Sequence, residues 1–380
     1  MTNPLLDFSG LPRFSDIRTE HITPAVEELL TRSRSIVEKV LCKAAAPTWQ
    51  NFVQPMTDVH EHLFRAWGQV SHLNAVMNSP ELREVYNSNL PIITKYYSEL
   101  AQNQALFEKF KKLHDDSKFE RLSCAQKMIV ENELRDFRLG GAELEPEQKK
   151  RFLRIQEELS TLSSRFSDNL LDATNNFVLH TENVEDISGI PNDVLQTARE
   201  TAKKDGASGW KFTLHAPSYQ PIMQYADNRE LRRKMYHAYS TRASEIEASD
   251  HCSGSKADWD NTPLIYKILE LRKEEAQILG FDCYAEVSLA SKMASTPKQT
   301  LDFLVELATK AKPHAKLDLE ELFQFASDQL RLNKLESWDL AYVSEKLRVD
   351  RYAFSDKEVK QYFPETKVLS GMFKLVENLY

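Results

Sequence analysis

Apolar residues recur at spacings of three and four over most of this chain, the mark of amphipathic helices with one buried face. In "ITPAVEELLTRSRSIVEKVL" the stripe runs Val26, Leu29/Leu30, Val37 and Val40/Leu41. The pattern predicts a helix there with Thr23 as its cap and Pro24 in the first helical position. Glu27 and Glu28 then lie near its positive end. A second helix is expected to run to about Val76 on Val59, Leu63, Trp67 and Val70. The Ser-Pro of "SPELREVYN" opens a third, whose periodicity carries nearly to Leu113. "SCAQKMIVENELRDFRLGG" is stopped by Gly140 and Gly141. The longest stripe, in "EPEQKKRFLRIQEELSTLSSRFSDNLLDATNNF", holds apolar residues at 152, 155, 159, 162, 166 and 170.

The period then changes. "NFVLHT" and "WKFTLH" read as short strands flanking a helix, "PNDVLQTARETAKKDG", that ends at Gly206. Helices resume at "YQPIMQYADNRELRRKMYHAYSTRAS", pause at the polar "SDHCSGSKADWDN", and continue in "TPLIYKILELRKEEAQILG" and "TPKQTLDFLVELATKAKPHAKLDLEELFQFASDQL". "LESWDLAYVSEKLRVDRYAFSDKEVKQYFPE" is aromatic-rich and moderately helical. The expected fold class is mainly α with a small α/β insert. The expected segments are a helical domain over 1–176, a strand-helix-strand insert over 177–220, and a further helical domain over 221–380.

Composition narrows the function classes. Ten glycines in 380 residues is far below the usual ~7%, as befits a chain with few tight turns. The net charge of −8, with basic residues scattered, offers no patch for a phosphate backbone, so no nucleic-acid partner is expected. No apolar run approaches a membrane span and the first residues lack the pattern of a secretory leader. Cys42, Cys124, Cys252 and Cys283 are far apart with no C-x-x-C pair, which suits free thiols in a reducing compartment. A cytoplasmic protein without a membrane partner is the expectation.

The one stretch that invites a catalytic reading is "DVHEHLF" at 58–64. A zinc-protease helix carries H-E-x-x-H because residues four apart share a face. Here Phe64, not His, stands four residues after His60, and His62 lies about 200° around the helix from His60. Both read as rim histidines on an amphipathic helix. No two of the ten histidines (21, 60, 62, 72, 114, 180, 215, 237, 251 and 314) are three or four apart. The pair His251 and Cys252 reads as ordinary surface loop. No nucleophile elbow or phosphate loop occurs. Tyr236, Tyr239, Trp338, Tyr342, Tyr352 and Tyr362 are assigned mainly to core packing, with a peptide groove as the alternative.

Longer stretches carry a resemblance. "FSDIRTEHITPAVEELL", "TWQNFVQPM", "VSHLNAVMNSPELREVYN", "RDFRLGGAEL", "PSYQPIMQYADNRELRRKMYHAYSTRAS", "LGFDCYAEVSLASKMASTP" and "YFPETKVLSGMFKLVENLY" occur in this order. Together they resemble the thimet oligopeptidase and neurolysin family of zinc metallopeptidases, from Phe14 to Tyr380. The resemblance implies a two-lobed helical fold whose channel admits short peptides. It also implies one zinc held by the two histidines of an H-E-x-x-H helix and a later Glu, with the motif Glu as general base. Those residues belong to the family's C-terminal half, and this sequence stops at Tyr380 before reaching them. The expectation is therefore the N-terminal portion of a cytoplasmic metalloendopeptidase, with 221–380 the start of its peptidase domain. It would hold no catalytic residue, bind no zinc and be inactive alone. The apolar stripe Leu369, Met372, Phe373, Val376, Leu379 and Tyr380 runs to the last residue without a stop signal and fits the same expectation. Two alternatives are a non-catalytic peptide- or partner-binding helical module, and one half of a split enzyme completed by a separately encoded C-terminal half.

Overall fold

The computed structural model describes residues 3–246, 259–352 and 359–380. The chain is mainly α, with a single two-stranded sheet among the described residues. It divides into two compact units, Met1–Asp168 with Thr262–Asp302, and Asn169–Asn261 with Phe303–Tyr380.

In the first unit, α1 (Thr19–Cys42) packs against α2 (Gln54–Val76) and α3 (Pro80–Ala101). The stripes meet as their spacing requires. Val26, Leu29 and Leu30 are buried with Leu63, Val70, Ile93 and Tyr96 in one core. Val40 reaches a second core with Phe52, Phe107, Phe110, Val130 and Phe137. That core is built by a π-helical turn at Trp49–Val53 together with α4 (Gln104–His114) and α5 (Cys124–Leu139). The Gly140 amide closes α5 onto Asp136 O at 2.7 Å, and Gly141 takes the left-handed φ of +87° that favours glycine. α6 (Pro146–Asn176) follows, with Phe152 and Ile155 buried. Arg151 of α6 grips Glu274 of α10 (Thr262–Ile278) with two hydrogen bonds, 2.6 Å from Nε and 2.5 Å from Nη2. The short α11 (Tyr284–Leu289) completes this unit.

Two local expectations are corrected. α1 begins at Thr19, with Arg18 as the cap, so Thr23 does not cap it and Pro24 sits inside the helix. The Arg18 amide donates to His21 Nδ1 at 3.0 Å, which anchors the earlier start. Thr23 instead accepts from the Asn89 amide of α3 at 2.9 Å. The periodicity running from Pro80 towards Leu113 belongs to two helices. Asn103 breaks it, accepting from the Leu106 amide at 3.0 Å and so starting α4 afresh.

In the second unit, β1 (Leu179–Thr181) pairs antiparallel with β2 (Trp210–Phe212). α7 (Asn192–Lys204) lies between them in sequence and packs on β2. Gly209 enters β2 at φ +77°, where a Cβ would collide with the Thr181 carbonyl. α8 (Ala216–Tyr225) and α9 (Arg229–Ser240) add Ile222, Met223, Leu231 and Met235 to the core around Phe212 and Leu214. α12 (Pro297–Leu330), α13 (Leu340–Tyr352) and α14 (Glu365–Leu379) follow. No described helix is long and apolar enough to cross a membrane.

Candidate functional site

α2 presents both histidines of the "DVHEHLF" stretch, and the helix turns them to different partners. His60 Nε2 lies 2.8 Å from the Tyr96 hydroxyl of α3. His62 stacks on Phe8, with ring centroids 4.2 Å apart and planes within 7°. Burial pushes the His60 pKa down to about 4, so its imidazole is neutral at physiological pH. Tyr96 is pushed up to about 12, again chiefly by burial.

His60 also lines a cavity of about 610 Å3 between α2, the end of α3, α4 and α5. Met56, Phe110 and Phe137 are buried at this cavity, while Phe64 is exposed. Glu61, Glu133 and Asp136 are its acidic lining groups. Arg65 pairs with Glu61 at 3.8 Å, and Arg135 with Asp136 at 2.8 Å. Crowding by the surrounding walls raises the pKa of Glu133, which is open to solvent on one side; Asp136 adds to the shift and Arg135 opposes it. Periodicity alone marks the apolar stripe of α2 but not this space, because the cavity depends on how α5 stands beside α2.

A second polar centre lies in the second unit. Arg232, 1% exposed, donates from Nη2 to Asp339 Oδ1 at 2.8 Å. Arg229 of the same helix donates to both carboxylate oxygens of Asp339, at 3.0 Å from Nε to Oδ1 and 2.6 Å from Nη2 to Oδ2. The Glu336 amide adds a further bond at 3.0 Å. Burial opposes ionisation of Asp339, but the bonds from Arg229 and Arg232 outweigh it and hold the carboxyl below its usual range. Arg232 also caps the end of α8 through the Ala226 carbonyl at 2.6 Å. This fully paired cluster fastens α9 to the turn before α13. It leaves no group free to act on a substrate.

The aromatic residues flagged for a groove divide. Tyr342 is buried under the Arg232 guanidinium, 4.0 Å from the ring centre, and donates to Asp227 at 2.9 Å. Tyr236 and Trp338 meet edge to face, and Tyr239 stacks on Tyr219. Tyr342, Tyr236 and Trp338 pack within the second unit, whereas Tyr239, despite its stacking, is exposed, as are Tyr352 and Tyr362.

A zinc centre needs three or more His, Cys or carboxylate groups converging on one point. Among the described residues no such group could hold a metal ion. His60 is committed to Tyr96 and His62 to Phe8. The described residues do not fit the zinc that the family resemblance implies. His251 and Cys252 lie outside the described residues, and Cys42, Cys124 and Cys283 are free thiols.

Comparison with known proteins places this geometry in a lineage. The family model "Neurolysin/Thimet oligopeptidase, N-terminal domain" matches residues 26–149, and "Peptidase family M3" matches residues 222–380. The chain is 44% identical over its whole length to oligopeptidase A of Haemophilus influenzae, covering 55% of that protein. It is 42% identical over its whole length to oligopeptidase A of Escherichia coli, again covering 55%. Identity is 35% to a protein named probable cytosolic oligopeptidase A from Arabidopsis thaliana, with all of this chain and 54% of the relative covered. The chain thus spans about half the length of the curated relatives it matches. Both family models are matched in order and the identity is sustained along the full length of the chain, so the chain is similar throughout to part of oligopeptidase A, a likeness that the matches to the two peptidase models share.

Proposed function

We propose that this chain forms part of a cytoplasmic zinc metalloendopeptidase that degrades short peptides. In this reading the zinc ligands and the catalytic base are contributed by residues outside the chain, and the chain alone neither binds catalytic zinc nor cleaves peptides. Residues 1–176 are read as the N-terminal helical domain, 177–220 as an insert, and 221–380 as the first part of the peptidase domain. The observation that carries the proposal is the whole-length identity to oligopeptidase A, which accounts for 55% of those relatives.

The test is direct. The purified chain is loaded with zinc, dialysed and assayed with a quenched fluorogenic peptide. Less than stoichiometric retained zinc and no chelator-sensitive hydrolysis are expected. Stoichiometric zinc together with hydrolysis abolished by a chelator would defeat the proposal.

One observation favours a companion reading, that a separately encoded C-terminal half docks here. α14 carries Phe373 at 61% and Leu379 at 68% exposure, with Met372 and Val376 also exposed. Uncovered apolar residues on one helix mark a surface that another segment covers. Co-expression with the C-terminal portion of a relative would restore hydrolysis if that surface is the junction.

A further inference from the structure

The cavity bounded by α2, α3, α4 and α5 has no part in the peptidase reading. Its volume of about 610 Å3 is that of a small-ligand site, and its floor of Met56, Phe110 and Phe137 is apolar. Phe64, 74% exposed, and Ile129 stand at its edge, leaving apolar surface that a ligand would remove from water. The charge along its lining has a single sign, for Glu61, Glu133 and Asp136 line it and no Lys or Arg does. Glu61 and Asp136 are already engaged by arginines. Glu133 differs, since none of the hydrogen bonds or ion pairs of the described residues involves its carboxylate.

We propose that this cavity binds a short peptide segment in which a large apolar side chain precedes an arginine. The apolar side chain rests on Met56, Phe110 and Phe137, and the guanidinium pairs with Glu133. A neutral apolar ligand would fill the floor but take water from Glu133 without replacing it, which is costly for a carboxylate. An acidic ligand would meet the uncompensated charge of Glu133. A guanidinium satisfies the carboxylate with two parallel bonds, and the planar fork fixes which end of the ligand faces α5. The site lies wholly within the first unit and does not depend on metal chemistry.

The test is titration of the full chain with N-acetyl-phenylalanyl-arginine amide by calorimetry, the methyl signals of Met56 and Ile129 locating the ligand. Saturable one-to-one binding that shifts those methyls is expected, with the matched phenylalanyl-glutamate amide at least about tenfold weaker. Glu133→Gln should weaken the arginine peptide by about tenfold while leaving the thermal midpoint unchanged, because Glu133 holds no other side chain. Ile129→Lys places a competing cation at the edge and should abolish binding. Absence of saturable binding, equal affinity for the glutamate peptide, or unchanged affinity in Glu133→Gln would each overturn the assignment. None of these outcomes depends on whether the chain, alone or completed, hydrolyses peptides.

Discussion

His60 shows how one side chain's surroundings fix its chemistry. A histidine whose folded-state pKa falls from 6.5 to about 4 binds fewer protons than the unfolded chain between those values. Its contribution to stability is therefore complete above pH 6.5 and is lost as pH falls towards 4, with a span on the order of 3 kcal/mol. Urea unfolding of the wild type should show that loss, and His60→Gln should flatten it. Glu275 behaves in the opposite sense. It is buried, with Oε1 accepting from Gln156 at 3.0 Å and Oε2 without a partner, and burial raises its pKa. Stability linked to it is present at low pH and lost as pH rises through the raised value. Glu275→Gln should thus gain on the wild type between pH 4 and 7, by about 1 kcal/mol. An unchanged difference across that range would show the carboxylate to be solvated. At this scale the sequence was partly legible. The two-residue spacing of His60 and His62 separates the rings, but only burial between packed helices keeps one of them unprotonated near neutrality.

Among the elements, legibility followed periodicity. The stripe Val59, Leu63 and Val70 is buried, whereas of the long α6 stripe Phe152 and Ile155 are buried and Leu170 at its far end is exposed; the two segments read as strands pair with each other. Starts and breaks were harder to read because capping is decided by single side-chain bonds. Thr23 and Pro24 form a strong start signal, yet Arg18 and His21 close an earlier one. Asn103 interrupts a stripe that hydrophobic spacing alone carries through. The clamp on α9 was invisible in the sequence, since nothing near Arg229 and Arg232 points to Asp339, more than a hundred positions on. Asp339→Ala would leave Arg232 buried without its counter-charge, and a loss of about 3–5 kcal/mol in chemical unfolding is expected. A loss below about 1 kcal/mol would mean that water replaces the carboxylate. Gly209→Ala should also destabilise, through the clash with the Thr181 carbonyl and the left-handed φ, which amide exchange across β1 and β2 can report.

For the whole molecule, the fold class was plain from scarce glycine and sustained helical spacing, and the likeness to oligopeptidases from long colinear stretches. The cavity beside α2 was not, because it is a space between helices rather than a property of any one of them. The exposed residues of α14 set the solution behaviour. Light scattering should show the wild type associating at micromolar concentration, and Phe373→Ser with Val376→Ser should shift it towards monomer. A wild type that stays monomeric would indicate that the apolar side chains fold back on their own helix.

The clamp has a consequence for the order in which the chain is made. Arg232 meets Asp339 across 107 positions and Arg229 across 110. A ribosome that has synthesised α9 must therefore continue for roughly a hundred codons before the acid that neutralises it emerges. During that interval the Arg232 guanidinium, destined for a dry interior, stays hydrated, and α9 cannot settle. Nascent chains arrested before residue 339 should be cut by protease within α9, and those arrested well after it should be spared.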